Sequence, residues 1–330
     1  MQFIIRSTIG RSALGNRGFQ KMAGVSYIDG AQIKGLLKYP ELITAVENAL
    51  RDFSDKDQGQ VVQPLRSRIP VEQHKGLFLA MPGFSGKASA LGTKLVSVYP
   101  ENDKKGLPSH QAIVLLFNPE NGSLQALMDG EVITEMRTAA ASAVATKYLA
   151  NKDAKVLAIL GSGTQARSHA EAMRHVKSFT EVKVWSRTAA NAQKFAEDIQ
   201  AKCCGSVEEA VSEADVIVTA TFATEPILKG KWVKEGAVIN AVGAPRPMWR
   251  ELDDDLMRTS FIVADSKEAA LAEAGDVVQT EATVEGEVGD VISGHLKVPL
   301  TKTKIFKSLG LAVEDVVTAK LVYDMLQGGQ

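Results

Sequence analysis

The sequence predicts an α/β protein of two domains, a doubly wound parallel sheet and a smaller α+β domain that is discontinuous in sequence. The chain has 330 residues and a hydrophobic content of 45%, which is enough for two packed cores. Up to about residue 132, short apolar runs follow one another across turn-forming residues, as in an antiparallel meander. From about residue 134, apolar runs alternate with helical patterns, which is typical of parallel strands with crossover helices.

The elements of the first domain follow from the spacing of its apolar residues. Residues at helical intervals predict a helix from about Asp29 to Phe53. Strand-like runs then follow at Val61–Ile69, Gly76–Phe84, Leu91–Tyr99, Gln111–Phe117 and Leu124–Met128. Because turn-forming residues separate these runs, we expect consecutive strands to pair antiparallel.

The elements of the second domain begin with an Ala-rich helix from Thr134 to Leu149. Helices are then predicted from Gln165 and from Ala189, between strands at Val156–Leu160, Val182–Trp185, Val216–Ala220, Val238–Val242 and Ile262–Ala264. A final amphipathic helix from Ala312 to Leu326 is expected to fold back onto the first domain. The predicted α+β domain therefore comprises 22–132 with 310–330, and the parallel-sheet domain comprises 133–309.

Charge and cysteine content exclude several classes of protein. Lys and Arg number 38 and Asp and Glu number 39, so no overall field attracts nucleic acid or anionic lipid. The longest apolar runs, such as Ala112–Phe117, are far shorter than the about 20 residues of a membrane span. Cys203 and Cys204 are neighbours, without the spacing of a redox motif or a metal site. We expect an intracellular protein with small-molecule partners and no bound metal.

The first 21 residues differ in composition from the rest of the chain. They contain no acid and four basic residues, namely Arg6, Arg11, Arg17 and Lys21. This composition is typical of an organelle transit peptide. The alternative is that Met22 begins the natural protein and the prefix is an upstream addition. We therefore expect a cytoplasmic protein, or a mitochondrial one if the prefix directs import.

A glycine motif follows the first predicted parallel strand. The sequence Gly161-Ser162-Gly163-Thr164-Gln165-Ala166 opens a helix, and a second strand follows at the spacing of a dinucleotide-binding Rossmann unit. In such a unit the first glycine permits a tight turn, and the second lets a pyrophosphate approach backbone N–H groups at the helix N-terminus. The motif therefore predicts a dinucleotide site that includes Ser162, Thr164 and Gln165.

The end of the second strand predicts which dinucleotide is bound. An NAD site carries an Asp or Glu there for the ribose hydroxyls, whereas this chain has Ser186, Arg187 and Thr188. An arginine between two hydroxyl groups suits the 2′-phosphate of NADP. We therefore predict NADPH (NADP+) as the cofactor. The alternative is that Arg187 is a solvated surface charge.

Further segments form a pattern together with the Gly161 motif. They are Gln63-Pro-Leu-Arg66, Thr93-Lys-Leu-Val96, Pro108-Ser-His-Gln111, Met128-Asp-Gly130, Arg137-Thr-Ala-Ala-Ala-Ser142, Thr224-Glu-Pro226, Asn240-Ala-Val-Gly243 and Phe306-Lys-Ser-Leu-Gly310. From about Tyr27 to Leu326 the chain resembles the ornithine cyclodeaminase/mu-crystallin family, and within it the mu-crystallin branch. The resemblance implies NADPH-dependent reduction of small cyclic ketimines, thyroid hormone binding, and a homodimer formed through the first domain.

The resemblance also assigns roles to cationic and polar residues. Arg66 and Lys94 match positions that hold the substrate carboxylate, and Arg137 begins a helix from which it reaches both carboxylate and pyrophosphate. Glu273 and Ser308 match positions that line the ligand pocket. Either Lys94 or a bound water is expected to donate the proton to the imine nitrogen. We therefore expect Lys94, Arg66 and Arg137 to be the catalytic residues.

The matched cofactor positions lie mostly near the ends of predicted strands, where ligands of parallel sheets bind. Besides the Gly161 motif they comprise Ser109, His110, Arg137, Thr138, Ser186, Arg187, Thr188, Asn191, Thr221, Phe222 and Val242. The alternative for the apolar members Phe222 and Val242 is core packing.

Pro245 separates two branches of the resembled family. Cyclodeaminases carry an Asp near this position, and proline has no proton to give and no charge to pair. Ornithine cyclisation is therefore disfavoured. Two alternatives to a ketimine reductase remain, a thyroid hormone carrier or crystallin without significant turnover, and an amino-acid dehydrogenase.

Overall fold

The first sheet has seven strands, and its middle is the antiparallel meander that the sequence predicts. The computed structural model describes residues 25–328, so the basic prefix lies outside the described residues. The strands are β1 (Ser26–Ile28), β2 (Val61–Val62), β3 (Ser67–Val71), β4 (Gly76–Ser85), β5 (Ala90–Val98), β6 (His110–Phe117) and β7 (Leu124–Asp129). Their order is β1-β7-β6-β5-β4-β2, with β3 also paired to β4. The parallel pairing of β1 with β7 was not predicted.

The helical pattern expected from Asp29 to Phe53 is present, but two helices share this segment. They are α1 (Gly30–Leu36) and α2 (Tyr39–Ser54). Asp29 caps α1 and forms a capping box with Gln32. Pro40 lies in the first turn of α2, where its missing N–H costs nothing, whereas in the interior of one long helix it would break the backbone ladder.

The strand expected from Val61 to Ile69 is also wrong, because it is interrupted between β2 and β3. Pro64 lies in the gap and cannot donate to a sheet ladder. In the same gap, the Gln63 side chain accepts a hydrogen bond from the backbone N–H of Val313 at 2.8 Å. The interruption therefore turns this segment away from the sheet and toward the C-terminal part of the chain.

Within the described residues the second sheet has eight strands, and every neighbouring pair is parallel. Helix α3 (Gly130–Leu149) precedes this sheet. The strands of the sheet are β8 (Val156–Leu160), β9 (Glu181–Trp185), β10 (Lys202–Cys203), β11 (Val216–Thr219), β12 (Val238–Ala241), β13 (Phe261–Ala264), β14 (Gly286–Glu287) and β15 (Lys304–Lys307). The helices after α3 are α4 (Thr164–Met173), α5 (Ala189–Ile199), α6 (Val207–Val211), α7 (Asp254–Thr259), α8 (Lys267–Glu273), α9 (Gly275–Thr280), α10 (Val288–Ile292) and α11 (Ala312–Gly328). The order is β10-β9-β8-β11-β12-β15-β13-β14. The predicted α/β fold with a doubly wound parallel sheet is confirmed.

The two sheets meet around α3. Ala139, Ala140, Ala141 and Ala143 of this helix are fully buried, and such small side chains let it pack closely on several elements. It contacts α2, α4 and β6, and it also lies against β12 and β15. Arg137 is consequently placed where the two halves of the structure touch.

The last helix returns to the first sheet. α11 packs against α2, β4, β5 and β6. The discontinuous domain of 22–132 with 310–330 stays a prediction. The amphipathic pattern expected for this helix is incomplete, since residues 312–319 are all buried, including Glu314 and Asp315. Among the helices of residues 25–328, none is long and apolar enough to cross a membrane.

Candidate active site

The glycine motif forms a turn that only glycine fits at its first position. Gly161 has a φ of +127°, and a Cβ there would collide with the carbonyl oxygen of Ala220. Its N–H donates to the carbonyl of Trp185 at 2.8 Å, which ties the turn to the end of β9. Gly163 is the N-cap of α4 and makes no side-chain cap, and a Cβ at Gly163 would have no neighbour within 4 Å. The turn thus leaves free backbone N–H groups beside open space, as a dinucleotide pyrophosphate requires.

The predicted residues around this turn lie close together. Ser162 donates to Ser186 across 2.9 Å, joining the turn to the residue after β9. Arg187 is exposed, and within the described part of the chain no side chain pairs with it. Thr188 is the N-cap of α5 without using its hydroxyl for the cap, and Asn191 on that helix is exposed. These side chains fit the adenosine end of a dinucleotide.

A rim of aromatic side chains is formed by His110, Phe222 and Trp249. The rings of His110 and Phe222 are 6.3 Å apart, and those of Phe222 and Trp249 are 6.2 Å apart and nearly perpendicular. Ser109 lies 3.1 Å from His110 Nδ1. The Phe222 side chain is 75% exposed, so the core-packing alternative for Phe222 is wrong. This rim joins the first sheet to the loop after β11.

The predicted cationic residues converge on two carboxylates of α11. Lys94 lies on β5 with its side chain 2% exposed, and its ammonium is 2.9 Å from Asp315 and 3.2 Å from Thr134 Oγ1. Arg137 donates from Nε to Asp315 and from Nη1 to Glu314, both at 2.9 Å. We call Lys94, Arg137, Glu314 and Asp315 the buried ion cluster. Such charges are tolerated in a core because each is paired.

Arg66 lies beside this cluster and faces Glu273. Its Nε is 3.2 Å from Glu273 Oε2, and its Nη2 donates to the carbonyls of Leu309 and Gly310 at 3.0 and 3.1 Å. Gly310 has a φ of +82°, and a Cβ there would collide with the Arg137 guanidinium. Residues 309–310 therefore lie between the two arginines, directly after the carboxyl end of β15.

Ser308 and Thr138 complete the set of predicted residues. Ser308 is buried, and within residues 25–328 no hydrogen-bond partner reaches its Oγ. Thr138 donates its hydroxyl to the carbonyl of Thr134 in its own helix, at 2.7 Å. Gln165 Oε1 is buried without a partner in the same range. Unused polar atoms at Ser308 and Gln165 suit contacts to a bound ligand.

Sequence reasoning missed three buried carboxylates at this site. They are Glu314 and Asp315 of α11 and Asp265 after β13, which accepts from the backbone N–H groups of Leu309 and Gly310 at 2.6 Å each. Acidic residues in the first turn of a helix usually interact with its dipole in solvent, so their spacing carried no sign of burial. One observation could have pointed to them. A cationic residue such as Lys94 in a predicted buried strand requires an acidic partner elsewhere in the chain.

Burial and neighbouring charge shift the proton equilibria of the cluster. The pKa of Lys94 is lowered to about 8, first by burial and then by the positive charges of Arg137 and Arg66, while Asp315 opposes the shift. Burial raises the pKa of Glu314 to about 8, against the effect of Arg137. Burial thus disfavours the charged form of both side chains, while the opposite charges beside them favour it.

The dinucleotide turn and residues 308–310, which lie next to the buried ion cluster, are at the carboxyl edge of the second sheet. The turn follows β8, and residues 308–310 follow β15, with β11 and β12 between these strands. A parallel sheet that presents a dinucleotide turn and placed cations at its carboxyl edge defines a dinucleotide-dependent oxidoreductase. The chain belongs to the ornithine cyclodeaminase/mu-crystallin family, whose family model matches residues 28–330.

Relatives with similar sequences include reductases of cyclic imines and an alanine dehydrogenase of Archaeoglobus fulgidus, which is 36% identical over 306 residues, covering 89% of this chain and 92% of the relative. The ketimine reductase mu-crystallin of Rattus norvegicus is 54% identical over 291 residues, covering 88% of this chain and 93% of the relative. A delta(1)-pyrroline-2-carboxylate reductase of Bacillus cereus is 36% identical over 313 residues, covering 90% and 95%. The solved structure of the delta(1)-pyrroline-2-carboxylate reductase of Thermococcus litoralis, in complex with NADH and L-proline, has a TM-score of 0.87 and 40% identity, covering 92% and 98%.

Proposed function

We propose that this protein reduces small cyclic ketimines, such as piperideine-2-carboxylate and pyrroline-2-carboxylate, with NADPH. The observation that carries the proposal is the buried ion cluster beside Arg66, next to residues 308–310 at the same sheet edge as the dinucleotide turn. The names of the ketimine and pyrroline-2-carboxylate reductases support the same reaction. The products are the cyclic imino acids pipecolate and proline.

Binding of the substrate carboxylate falls to Arg66. Its guanidinium is partly exposed, with 14% of the side chain accessible, and it is fixed by Glu273 and two carbonyls. These contacts leave the two N–H groups of Nη1 to donate to a substrate carboxylate. Arg66 thereby sets which face of the imine ring is presented, and such positioning supplies a large part of the rate.

Lys94 holds the proton that the imine nitrogen receives. Its ammonium is neutralised by Asp315, and its lowered pKa of about 8 leaves it protonated at neutral pH while weakening its hold on the proton. A bound water between Lys94 and the substrate is the alternative donor. The dinucleotide, when bound, supplies the hydride to the imine carbon.

The preference for NADPH rests on Arg187. Its exposed guanidinium has no partner in the described chain, and Thr188 and Ser186 flank it with hydroxyl groups. The solved complex of the Thermococcus relative holds NADH, so that relative gives no support for NADPH. The preference for NADPH is argued from the residues of this chain alone. None of residues 186–188 is acidic, so no carboxylate there repels a 2′-phosphate.

Thyroid hormone binding is a second function that the aromatic rim supports. Phe222 offers an exposed ring and Trp249 a partly buried one, and the Arg246 guanidinium lies 4.7 Å from the Trp249 ring centre. A ligand with two aromatic rings and a carboxylate would contact this rim while its carboxylate reaches the arginines. In that case the hormone competes with the ketimine.

A homodimer is proposed from the outer face of the first sheet. Tyr27 on β1, Ile69 on β3 and Ile113 on β6 are each at least 42% exposed, and all lie on the side of the sheet away from α11. A contiguous apolar face of this kind is typical of a subunit interface. Sedimentation velocity of the full chain tests it, and a monomer at micromolar concentration would refute it.

The deciding experiment for the activity follows the oxidation of NADPH with piperideine-2-carboxylate. We expect turnover with this substrate and with pyrroline-2-carboxylate, and inhibition by thyroid hormone. Pyruvate with ammonia tests for an amino-acid dehydrogenase, and ammonia release from ornithine tests for the cyclodeaminase that Pro245 disfavours. Tight hormone binding without any turnover would favour a carrier and overturn the proposal.

A further inference from the structure

Glu251 is a fully buried carboxylate that accepts four hydrogen bonds. One oxygen, Oε1, accepts from the backbone N–H of Thr221 at 2.7 Å and from its hydroxyl at 2.6 Å. The other oxygen, Oε2, accepts from the Thr219 hydroxyl at 2.6 Å and from the backbone N–H of Gly243 at 2.9 Å. Both oxygens are therefore satisfied by residues at the carboxyl ends of β11 and β12.

These bonds fasten the ends of two neighbouring strands to each other. Thr219 ends β11 and Thr221 follows it, whereas Gly243 follows the end of β12. A Cβ at Gly243 would collide with the Glu251 carboxylate, so the turn after β12 can take only glycine while Glu251 is in place. One side chain thus sets the distance between the two turns.

An ion pair between Asp276 and Lys307 supports the backbone of Glu251. Asp276 accepts from the backbone N–H groups of Glu251 and Leu252, at 2.8 and 3.0 Å. Lys307 lies 3.2 Å from Asp276 and also donates to the carbonyl of Gly243. Glu251, Asp276 and Lys307 are all fully buried, and their contacts connect β15 to the turns after β11 and β12.

The turns that Glu251 connects lie on the side of the sheet where the nicotinamide half of a dinucleotide is expected. Arg187 and Ser186 follow β9, on one side of the Gly161 turn after β8. β11 and β12 lie on the other side of β8, and the Ala220 carbonyl contacts Gly161. If adenosine lies toward β9 and the pyrophosphate lies at β8, the nicotinamide half extends over the turns that Glu251 fixes.

We propose that Glu251 is a positioning residue for the nicotinamide half of the bound dinucleotide. It acts through Thr221 and Gly243 and does not contact the reacting atoms. The inference rests on the proposed function, because it takes a reduced dinucleotide as the ligand. Loss of Glu251 would change how the nicotinamide end of the dinucleotide is held, while the adenosine end would keep its contacts.

Glu251→Gln tests this inference with a minimal change in shape. An amide can direct its NH2 group to either side, and on each side that group faces a backbone N–H, of Thr221 or of Gly243. One of the two turns must therefore shift. Thr219→Val is the second variant, since it removes one of the four donors and keeps the volume of a residue that is itself buried.

Asp215→Asn is the matched control at the other end of the same sheet. Asp215 accepts from the backbone N–H groups of Lys155 and Val156 at 2.7 and 3.0 Å and pairs with Lys234 at 2.6 Å. It therefore resembles Glu251 as a carboxylate that fastens neighbouring segments, but it lies where β8 begins. We expect its loss to lower stability without changing ligand binding.

The readout is equilibrium binding of NADPH compared with adenosine 2′,5′-bisphosphate, which lacks the nicotinamide half. NADH and ADP are measured in parallel, so the comparison holds for either dinucleotide. For Glu251→Gln we expect NADPH binding to weaken about tenfold or more, with kcat falling in addition, while the bisphosphate binds as in the wild type. Thr219→Val should weaken NADPH binding by about threefold to tenfold.

The possible outcomes separate this inference from the proposed function. Equal loss of both ligands in Glu251→Gln, or unchanged binding of both, would overturn the positioning role. The same selective loss in Asp215→Asn would show that any weakened sheet gives this result, which would overturn it as well. A wild type that binds NADPH but reduces no ketimine would refute the proposed activity, while the binding comparison still decides the role of Glu251.

Discussion

The Lys94 ammonium and the Asp315 carboxylate lie 2.9 Å apart, and both side chains are almost completely buried. Arg137 donates to the same carboxylate, also at 2.9 Å. One carboxylate therefore holds two cations, one from a strand of the first sheet and one from the helix between the sheets. This arrangement fixes the position of Lys94 and explains why an ammonium remains in a buried place.

Lys94→Ala is expected to remove most turnover and to leave NADPH affinity nearly intact. The ammonium is the proposed proton donor, and general acid groups contribute roughly a hundredfold or more to the rate. Asp315 keeps Arg137 as a partner in this variant, so the carboxylate is not left alone. Steady-state kinetics and NADPH titration measure the two effects separately. Full activity of the variant would exclude Lys94 as the donor.

Asp315→Asn is expected to destabilise the protein by about 3 to 5 kcal/mol, because it leaves buried cations without their shared partner. Asp324→Asn is a matched control on the same helix, since Asp324 pairs with Lys320 at 2.6 Å in a partly exposed position. Exposed pairs contribute about 0 to 1 kcal/mol. Urea unfolding measures both variants, and equal midpoints would contradict the structural role of the cluster.

Turnover is expected to fall as pH rises through about 8. The pKa of Lys94 is lowered to about 8 by burial and by Arg137, and only the protonated ammonium can give a proton. Since Asp315 raises this pKa, Asp315→Asn should move the fall to lower pH. A profile of kcat against pH tests both statements. A flat profile between pH 6 and pH 9 would assign the proton to water.

Arg187→Glu is expected to reverse the preference between NADPH and NADH. A carboxylate at this place repels a 2′-phosphate and accepts hydrogen bonds from ribose hydroxyls. The ratio of kcat/KM for the two dinucleotides is the measurement, and Arg174→Glu serves as a control because Arg174 donates to the carbonyl of Ile199 away from the turn. Unchanged discrimination in Arg187→Glu would refute the phosphate role.

The parallel sheet could be predicted where its strands are short apolar runs, as in β8, which matches the predicted bounds. β15 was missed because Lys304 and Lys307 enclose only two apolar residues, and nothing in the sequence tells that both lysines are buried. In the same way Asp315 is 221 residues from Lys94, so their pairing depends on how α11 returns to the first sheet. Sequence motifs therefore identified the cationic residues of the site. Its buried carboxylates could be identified only from the three-dimensional structure.

His169 gives a prediction about stability in mild acid. It is fully buried between α3 and α4, where its ring nitrogens lie 2.9 Å from Ser142 Oγ and 2.6 Å from the Gln165 carbonyl. Burial lowers its pKa from 6.5 to about 4, so the folded protein keeps His169 neutral while the unfolded chain binds a proton below pH 6.5. The free energy of unfolding contributed by this residue is therefore retained above pH 6.5 and lost as pH falls toward 4.

The size of this loss is about 2 kcal/mol at pH 5, and it can be isolated by comparison with His169→Gln. Glutamine cannot titrate, so the variant should lose less stability than the wild type between pH 7 and pH 5, even if it is less stable at pH 7. Urea unfolding at both pH values gives the difference. Equal losses in the two proteins would mean that His169 takes up a proton in the folded state, and its contact with Ser142 would then have to be a hydrogen bond donated by the imidazolium.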